Sequence, residues 1–114
     1  MAFTYKIDKK ENIAEIHMQG ELMEKNQAND LLIEAEELSN SGCSKWAIDL
    51  NELNFMNSNG LNTLIQLLTK ARKNGGEAVI YNLNKKIKEL ILITKLNTLF
   101  KVVENEAEAM KILE

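Results

Sequence analysis

The sequence predicts an α/β fold, in the order β-β-α-β-α-β-α-β-α, with a mixed, mostly parallel sheet that opens on an antiparallel hairpin. Three observations predict it. Stretches with apolar residues at alternate positions take turns with stretches whose apolar residues recur at helical spacing. The first two strand-like stretches follow each other across a short polar turn, which makes an antiparallel pair. After them, strands and helices alternate, and that order gives parallel pairs with right-handed crossovers. No Gly/Ser/Pro-rich linker divides the chain and no internal repeat is visible, so its 114 residues are expected to form one domain, 1–114.

Each element has its own signal. Phe3, Tyr5 and Ile7 alternate as a first strand, and residues 8–12 are a polar turn. Residues 13–18 read as a second strand, with Ala14, Ile16 and Met18 on one face. Residues 20–25 connect to a helix that Asn26 is placed to cap and that runs to about Ser39. Ala28, Leu31, Leu32, Ala35 and Leu38 form its apolar stripe, with Glu34, Glu36 and Glu37 largely off it. Gly42 suits the left-handed position that ends such a helix. Trp46, Ile48 and Leu50 give a third strand, and 53–56 a short extended piece. Leu61, Leu64, Ile65, Leu68 and Ala71 make the strongest helical stripe, which stops at Asn74-Gly75-Gly76. Residues 78–81 read as a fourth strand, 85–94 as a third helix, 99–103 as a last strand and 105–113 as a last helix.

Composition removes several function classes. There are 14 Lys+Arg against 17 Asp+Glu, a net charge of -3. A nucleic-acid binder usually carries a basic excess or patch, and Lys9–Lys10 and Lys85–Lys86 are too small for one. The longest aliphatic run, Leu90-Ile91-Leu92-Ile93, is far short of a membrane span. The first residues read as no signal peptide, so the expected compartment is the cytoplasm. Cys43 is the only cysteine and His17 the only histidine, which excludes an internal disulfide and a cysteine zinc cluster. No metal or cofactor is expected. Cys43 is expected to be buried or half-buried, and His17 to take a surface position on the hairpin.

Enzyme motifs are absent. There is no phosphate-binding Gly-x-x-x-x-Gly-Lys-[Ser/Thr] and no Gly-x-Gly-x-x-Gly. A serine triad would need His17, which sits mid-strand, and the paired carboxylates fall on helices at spacings that read as solvated faces. The chain is therefore read as a binding module and not an enzyme.

One segment stands out. Asp49-Leu50-Asn51-Glu52-Leu53-Asn54-Phe55-Met56 runs into Asn57-Ser58-Asn59-Gly60, and then into a long helix. Ser58 falls at or just before a helix N-terminus. Asn57 or Ser58 can accept hydrogen bonds from its free backbone N–H groups, stabilising the helix by about 1 kcal/mol. A phosphoserine there would add about -1.5 to -2 charges, which the partial positive charge and open donors of a helix N-terminus tolerate. Gly60 keeps the surface low for a close approach. Capping and phosphorylation are compatible.

With those residues in view, the chain resembles the STAS domain, and within it the stand-alone bacterial anti-sigma factor antagonists. The resemblance runs from Tyr5 to Leu113. Ile48-Asp49-Leu50, Phe55-Met56 and Asn57-Ser58-Asn59-Gly60-Leu61 match the family's strand, apolar pair and Asp-Ser-[Ser/Thr]-Gly-Leu stretch. Gly20-Glu21-Leu22, Gly75-Gly76, Leu96, Leu99-Phe100 and the acidic start of the last helix add to it. The resemblance implies partner switching. The unmodified antagonist binds an anti-sigma factor, a serine kinase of the GHKL ATPase type. Phosphorylation on the serine matching Ser58 releases it, and a PP2C-type phosphatase resets it. The expected contact neighbourhood is Met23, Asn26, Phe55, Met56, Asn57, Ser58, Asn59, Gly60, Leu61 and Asn62, some of which must be core.

The chain also departs from the family pattern. The usual Asp before the serine is Asn57, and the usual Ser or Thr after it is Asn59. Asn57 keeps hydrogen-bonding capacity and removes a negative charge beside the acceptor. The family's Gly before Leu96 is Lys95 here, which suggests a different helix end. The alternative is a constitutive STAS structural or adaptor subunit of a larger complex, with no phospho-cycle. In that reading residues 90–99 either dock the partner or pack in the core.

Overall fold

In the computed structural model, which describes residues 2–114, the elements follow the expected order. They are β1 (Phe3–Lys10), β2 (Ile13–Leu22), α1 (Asn29–Asn40), β3 (Lys45–Met56), α2 (Ser58–Lys73), β4 (Glu77–Tyr81), α3 (Lys85–Ile93), β5 (Lys101–Val103) and α4 (Glu106–Leu113). The sheet order is β1-β2-β3-β4-β5. β1 and β2 pair antiparallel, from Phe3 opposite Gly20 to Lys10 opposite Ile13. β2–β3, β3–β4 and β4–β5 are parallel. The α/β class, the opening hairpin and the element order are as the periodicity predicts.

Strand alternation sends side chains to two unequal faces. On one face Ala14, Ile16, Met18, Ile48, Leu50 and Ile80 meet the apolar stripes of α1, α2 and α3 in the main core. Trp46 is fully buried there, and its indole N–H donates to the Cys43 carbonyl at 2.9 Å. On the other face Ala47, Val79 and Tyr81 pack against Ala109 and Leu113 of α4. That single short helix covers the β3–β4 side. Cys43 is buried, as expected.

The differences lie at element ends. Asn26 does not cap the first helix; it sits inside a 3-10 turn, Lys25–Ala28, that precedes α1. Gln27 closes this turn, its side-chain oxygen accepting from the Met23 and Glu24 backbone N–H groups at 2.9 Å each. The extended piece at 53–56 is not separate from the third strand. It continues β3, because the end of β2 offers it a partner: Gly20 pairs with Leu53 and Leu22 with Met56 after two register shifts. Leu67 joins the α2 core face beyond the predicted stripe. Gly42 ends α1 at φ 96°, in the left-handed region the sequence assigned to it. Lys95 does not make the different helix end expected of it. It adopts φ 61°, the left-handed conformation that glycine suits, so the helix end associated with Gly is kept and a lysine is forced into it. Among the described residues no helix is long and apolar enough to cross a membrane.

Candidate functional site

β3 ends and α2 begins at Asn57-Ser58. Asn57 is the N-cap. Its side-chain oxygen accepts from the backbone N–H of Asn59 at 2.9 Å and of Gly60 at 3.4 Å. The Leu61 N–H makes the first helical bond, to the Asn57 carbonyl at 3.0 Å. Asn57 therefore consumes two of the donors that the helix end would otherwise hold open. Ser58 is the first helical residue, exposed, and its hydroxyl takes part in no side-chain hydrogen bond among the described residues. Of the two capping assignments open in the sequence, the structure selects Asn57.

The amide groups of this rim work at both ends. Asn57 Nδ2 and Asn59 Nδ2 both donate to the Met23 carbonyl, each at 2.9 Å. Two of the three departures from the STAS pattern, Asn57 and Asn59, thus converge on one atom of the loop after β2. Asn84, unmarked in the sequence, behaves likewise. Its oxygen caps α3 by accepting from the Ile87 N–H at 2.9 Å, and its Nδ2 donates to the Leu53 and Asn54 carbonyls at 3.2 and 2.9 Å. An Asn directly before a helical run carries the cap signal; its bonds back to β3 have no sequence signal.

The expected contact residues fall into three groups. Asn26, Ser58 and Asn62 are exposed; Met23, Phe55, Asn57 and Asn59 are half-buried. Met56, Gly60 and Leu61 are buried and support the rim from below. Gly60 has a different reason from the one the sequence suggested. A Cβ there would lie 2.5 Å from the Met56 Cβ and 2.8 Å from the Leu22 carbonyl oxygen. It permits close packing of α2 on the chain's own strands, and not close approach from outside. The segment 90–99 divides: Ile91 is buried, whereas Leu92, Ile93 and Leu99 are exposed.

A second polar cluster occupies the α4 side of the sheet. His17 is not a free surface residue, because β2 lies between β1 and β3. Its Nδ1 donates to Asp49 Oδ2 at 2.8 Å, and its Nε2 lies 3.5 Å from both Asp8 and Glu15 carboxylates. Asn82 Nδ2 and the Asn51 N–H donate to Asp49 Oδ1 at 3.0 and 2.9 Å. Burial pushes the Asp49 carboxyl up, but these hydrogen bonds and the His17 ring outweigh it and hold it below its ordinary value. Glu15 is buried, with Lys10 Nζ at 3.0 Å. A hydrogen bond to Glu15 and its charge push the Glu106 carboxyl up. Burial, with the charges of Asp49 and Glu15, pushes the Tyr81 hydroxyl up. Among the described residues no group of His, Cys, Asp and Glu has the arrangement of a metal site.

The family model for the STAS domain matches residues 4–109. Solved structures with the same fold include an anti-sigma factor antagonist from Mycobacterium paratuberculosis, at TM-score 0.83 and 19% identity, over 98% of this chain and 94% of that one. The Bacillus cell fate determinant SpoIIAA in its phosphorylated form matches at TM-score 0.75 and 14% identity, over 97% of this chain and 100% of that one. An anti-sigma-factor antagonist (STAS) domain protein from Planctomyces limnophilus matches at TM-score 0.79 and 13% identity, over 96% and 97%.

Proposed function

Because the chain belongs to the STAS domain family, we propose that it is an anti-sigma factor antagonist, switched off by phosphorylation of Ser58. The observation that carries the reading is the free Ser58 hydroxyl, exposed at the first position of α2 on a rim whose asparagines are tied to backbone. The partner is an anti-sigma factor of the GHKL serine-kinase type, which transfers the γ-phosphoryl group of ATP to Ser58 Oγ and leaves ADP. A PP2C-type phosphatase restores the hydroxyl. SpoIIAA is known as a structure in both unphosphorylated and phosphorylated forms, which supports a switch on this fold.

The energetics favour a switch at the interface over a change of fold. Asn57 already occupies the Asn59 and Gly60 donors, so the helix end has little left to draw a phosphate inward. The dianion stays on the surface. Moving it into a packed interface without a cation costs several kcal/mol, and about 4 kcal/mol weakens binding roughly a thousandfold. Asn57 supplies the cap without adding a negative charge beside the acceptor.

The test is a pull-down from native-host lysate supplied with ADP, with wild-type and Ser58→Asp baits. Wild type should capture a GHKL-type serine kinase and the variant should not. A second reading, a constitutive adaptor without a phospho-cycle, draws on the exposure of Leu92, Ile93 and Leu99. In that case both baits capture the same non-kinase protein.

A further inference from the structure

The sheet has one long free edge. β1 is eight residues long, Phe3–Lys10, and is the first strand of the sheet order, paired only with β2. The outward N–H and C=O groups of such a strand are a template for another strand. A cleft runs along this edge, between β1 and α1, in two adjoining parts of about 460 and 310 Å³ that share Ile7 and Glu34. Phe3, Tyr5 and Ile7 present half-buried apolar surface on its strand side. Asp30, Glu34 and Glu37 of α1 are exposed along its helix side. None of these three carboxylates forms an ion pair among the described residues; Glu34 accepts only from the Tyr5 hydroxyl, at 2.6 Å.

We propose that this cleft docks an extended peptide of another protein as an added strand on the β1 edge, the peptide carrying apolar residues and lysine or arginine together at every second position, on the one face that meets α1. Backbone pairing would supply affinity, and alternate side chains would supply specificity. Apolar side chains would lie over Tyr5 and Ile7, and long cationic side chains would reach the carboxylates of α1. The charge of the helix wall selects this occupant over a second copy of the chain. Two-fold pairing of β1 with itself would bring both acidic rows to the same side of the joined sheet, where like charges repel. A membrane surface is disfavoured for the same reason.

The reading is independent of Ser58, and its test is separate. A displayed library of random twelve-residue peptides is selected on the wild-type chain. Selected sequences should place Val, Ile or Leu and Lys or Arg together at every second position, and a synthetic peptide of the consensus should slow exchange of the β1 amides. The double variant Glu34→Lys, Glu37→Lys should bind that peptide roughly tenfold more weakly, with its melting temperature near wild type. Ser58→Asp should bind it unchanged. Failure to enrich any sequence, an acidic or unpatterned consensus, equal binding by the double variant, or β1 amides already protected by dimerisation would each overturn the proposal.

Discussion

Two polar clusters of this molecule are built in opposite ways. The rim around Ser58 is held by neutral amides. Asn57, Asn59 and Asn84 use their nitrogens to grip backbone carbonyls of neighbouring segments, and Asn57 and Asn84 also cap helices. The cluster on the α4 side is held by charge: Lys10 and His17 lie among the carboxylates of Asp8, Glu15 and Asp49. The charged cluster ties its groups mostly to one another, leaving the buried Tyr81 hydroxyl without a hydrogen-bond partner among the described residues. The amide rim leaves one exposed hydroxyl without a partner. Titratable residues here mark structure, and the switch is sought where charge is missing. A phosphate changes most where there is no charge already.

The largest effect is expected at Ser58. With the captured kinase in hand, calorimetry should find that Ser58→Asp binds about a thousandfold more weakly, a loss of about 4 kcal/mol, while the melting temperature stays near wild type. Next is Asp49→Asn, which removes the charged acceptor from His17, Asn82 and the Asn51 N–H. It should cost about 1.5–3 kcal/mol of stability at neutral pH, as hydrogen bonds to charged groups do. The sign with pH follows from the depressed carboxyl. The Asp49 contribution is fully present above its unfolded value of about 3.8 and is lost as pH falls through its lower folded value. Urea unfolding of wild type and variant should therefore converge in acid.

Gly60→Ala places a methyl against Met56 and the Leu22 carbonyl, and overpacking of this kind costs about 1–3 kcal/mol. Denaturation should show that loss with α2 still present by circular dichroism. Asn57→Ala removes a cap worth about 1 kcal/mol and half of the grip on Met23. Faster amide exchange at the start of α2 should accompany the loss. The smallest change is a gain. Lys95→Gly relieves a left-handed lysine and should stabilise by about 0.5–1 kcal/mol, read as a raised urea midpoint.

Much of this was legible in the sequence, and the reason is local periodicity. Trp46, Ile48 and Leu50 can only alternate, and Leu61, Leu64, Leu68 and Ala71 can only share a helix face, so order and fold class follow. The helix start at Ser58 was legible because a run of small polar residues interrupts two apolar patterns. Long-range pairings were not. The Met23 carbonyl lies 34 residues from Asn57 and 36 from Asn59 in sequence, and His17 lies 32 from Asp49. No periodicity reports such contacts. Gly60 reads in the sequence as keeping the surface low for a partner, whereas the nearness of Met56 and Leu22 is a property of packing. At Lys95 residue type suggested a different helix end, whereas the backbone there takes the left-handed turn that glycine suits, and the Phe100 N–H donates to the Leu96 carbonyl beyond it. The β1–α1 cleft was invisible because alternating Phe3, Tyr5 and Ile7 look the same on an open edge as on a covered one.

The most direct test of the central claim is phosphosite mapping by mass spectrometry on the chain isolated from its native host, before and after treatment with a PP2C-type phosphatase. A single phosphate on Ser58, removed by the phosphatase and absent from chain recovered in complex with the kinase, is the predicted result. Chain that carries no phosphate on Ser58 whether free or bound would contradict the switch and leave Ser58 as the first residue of a helix that Asn57 caps.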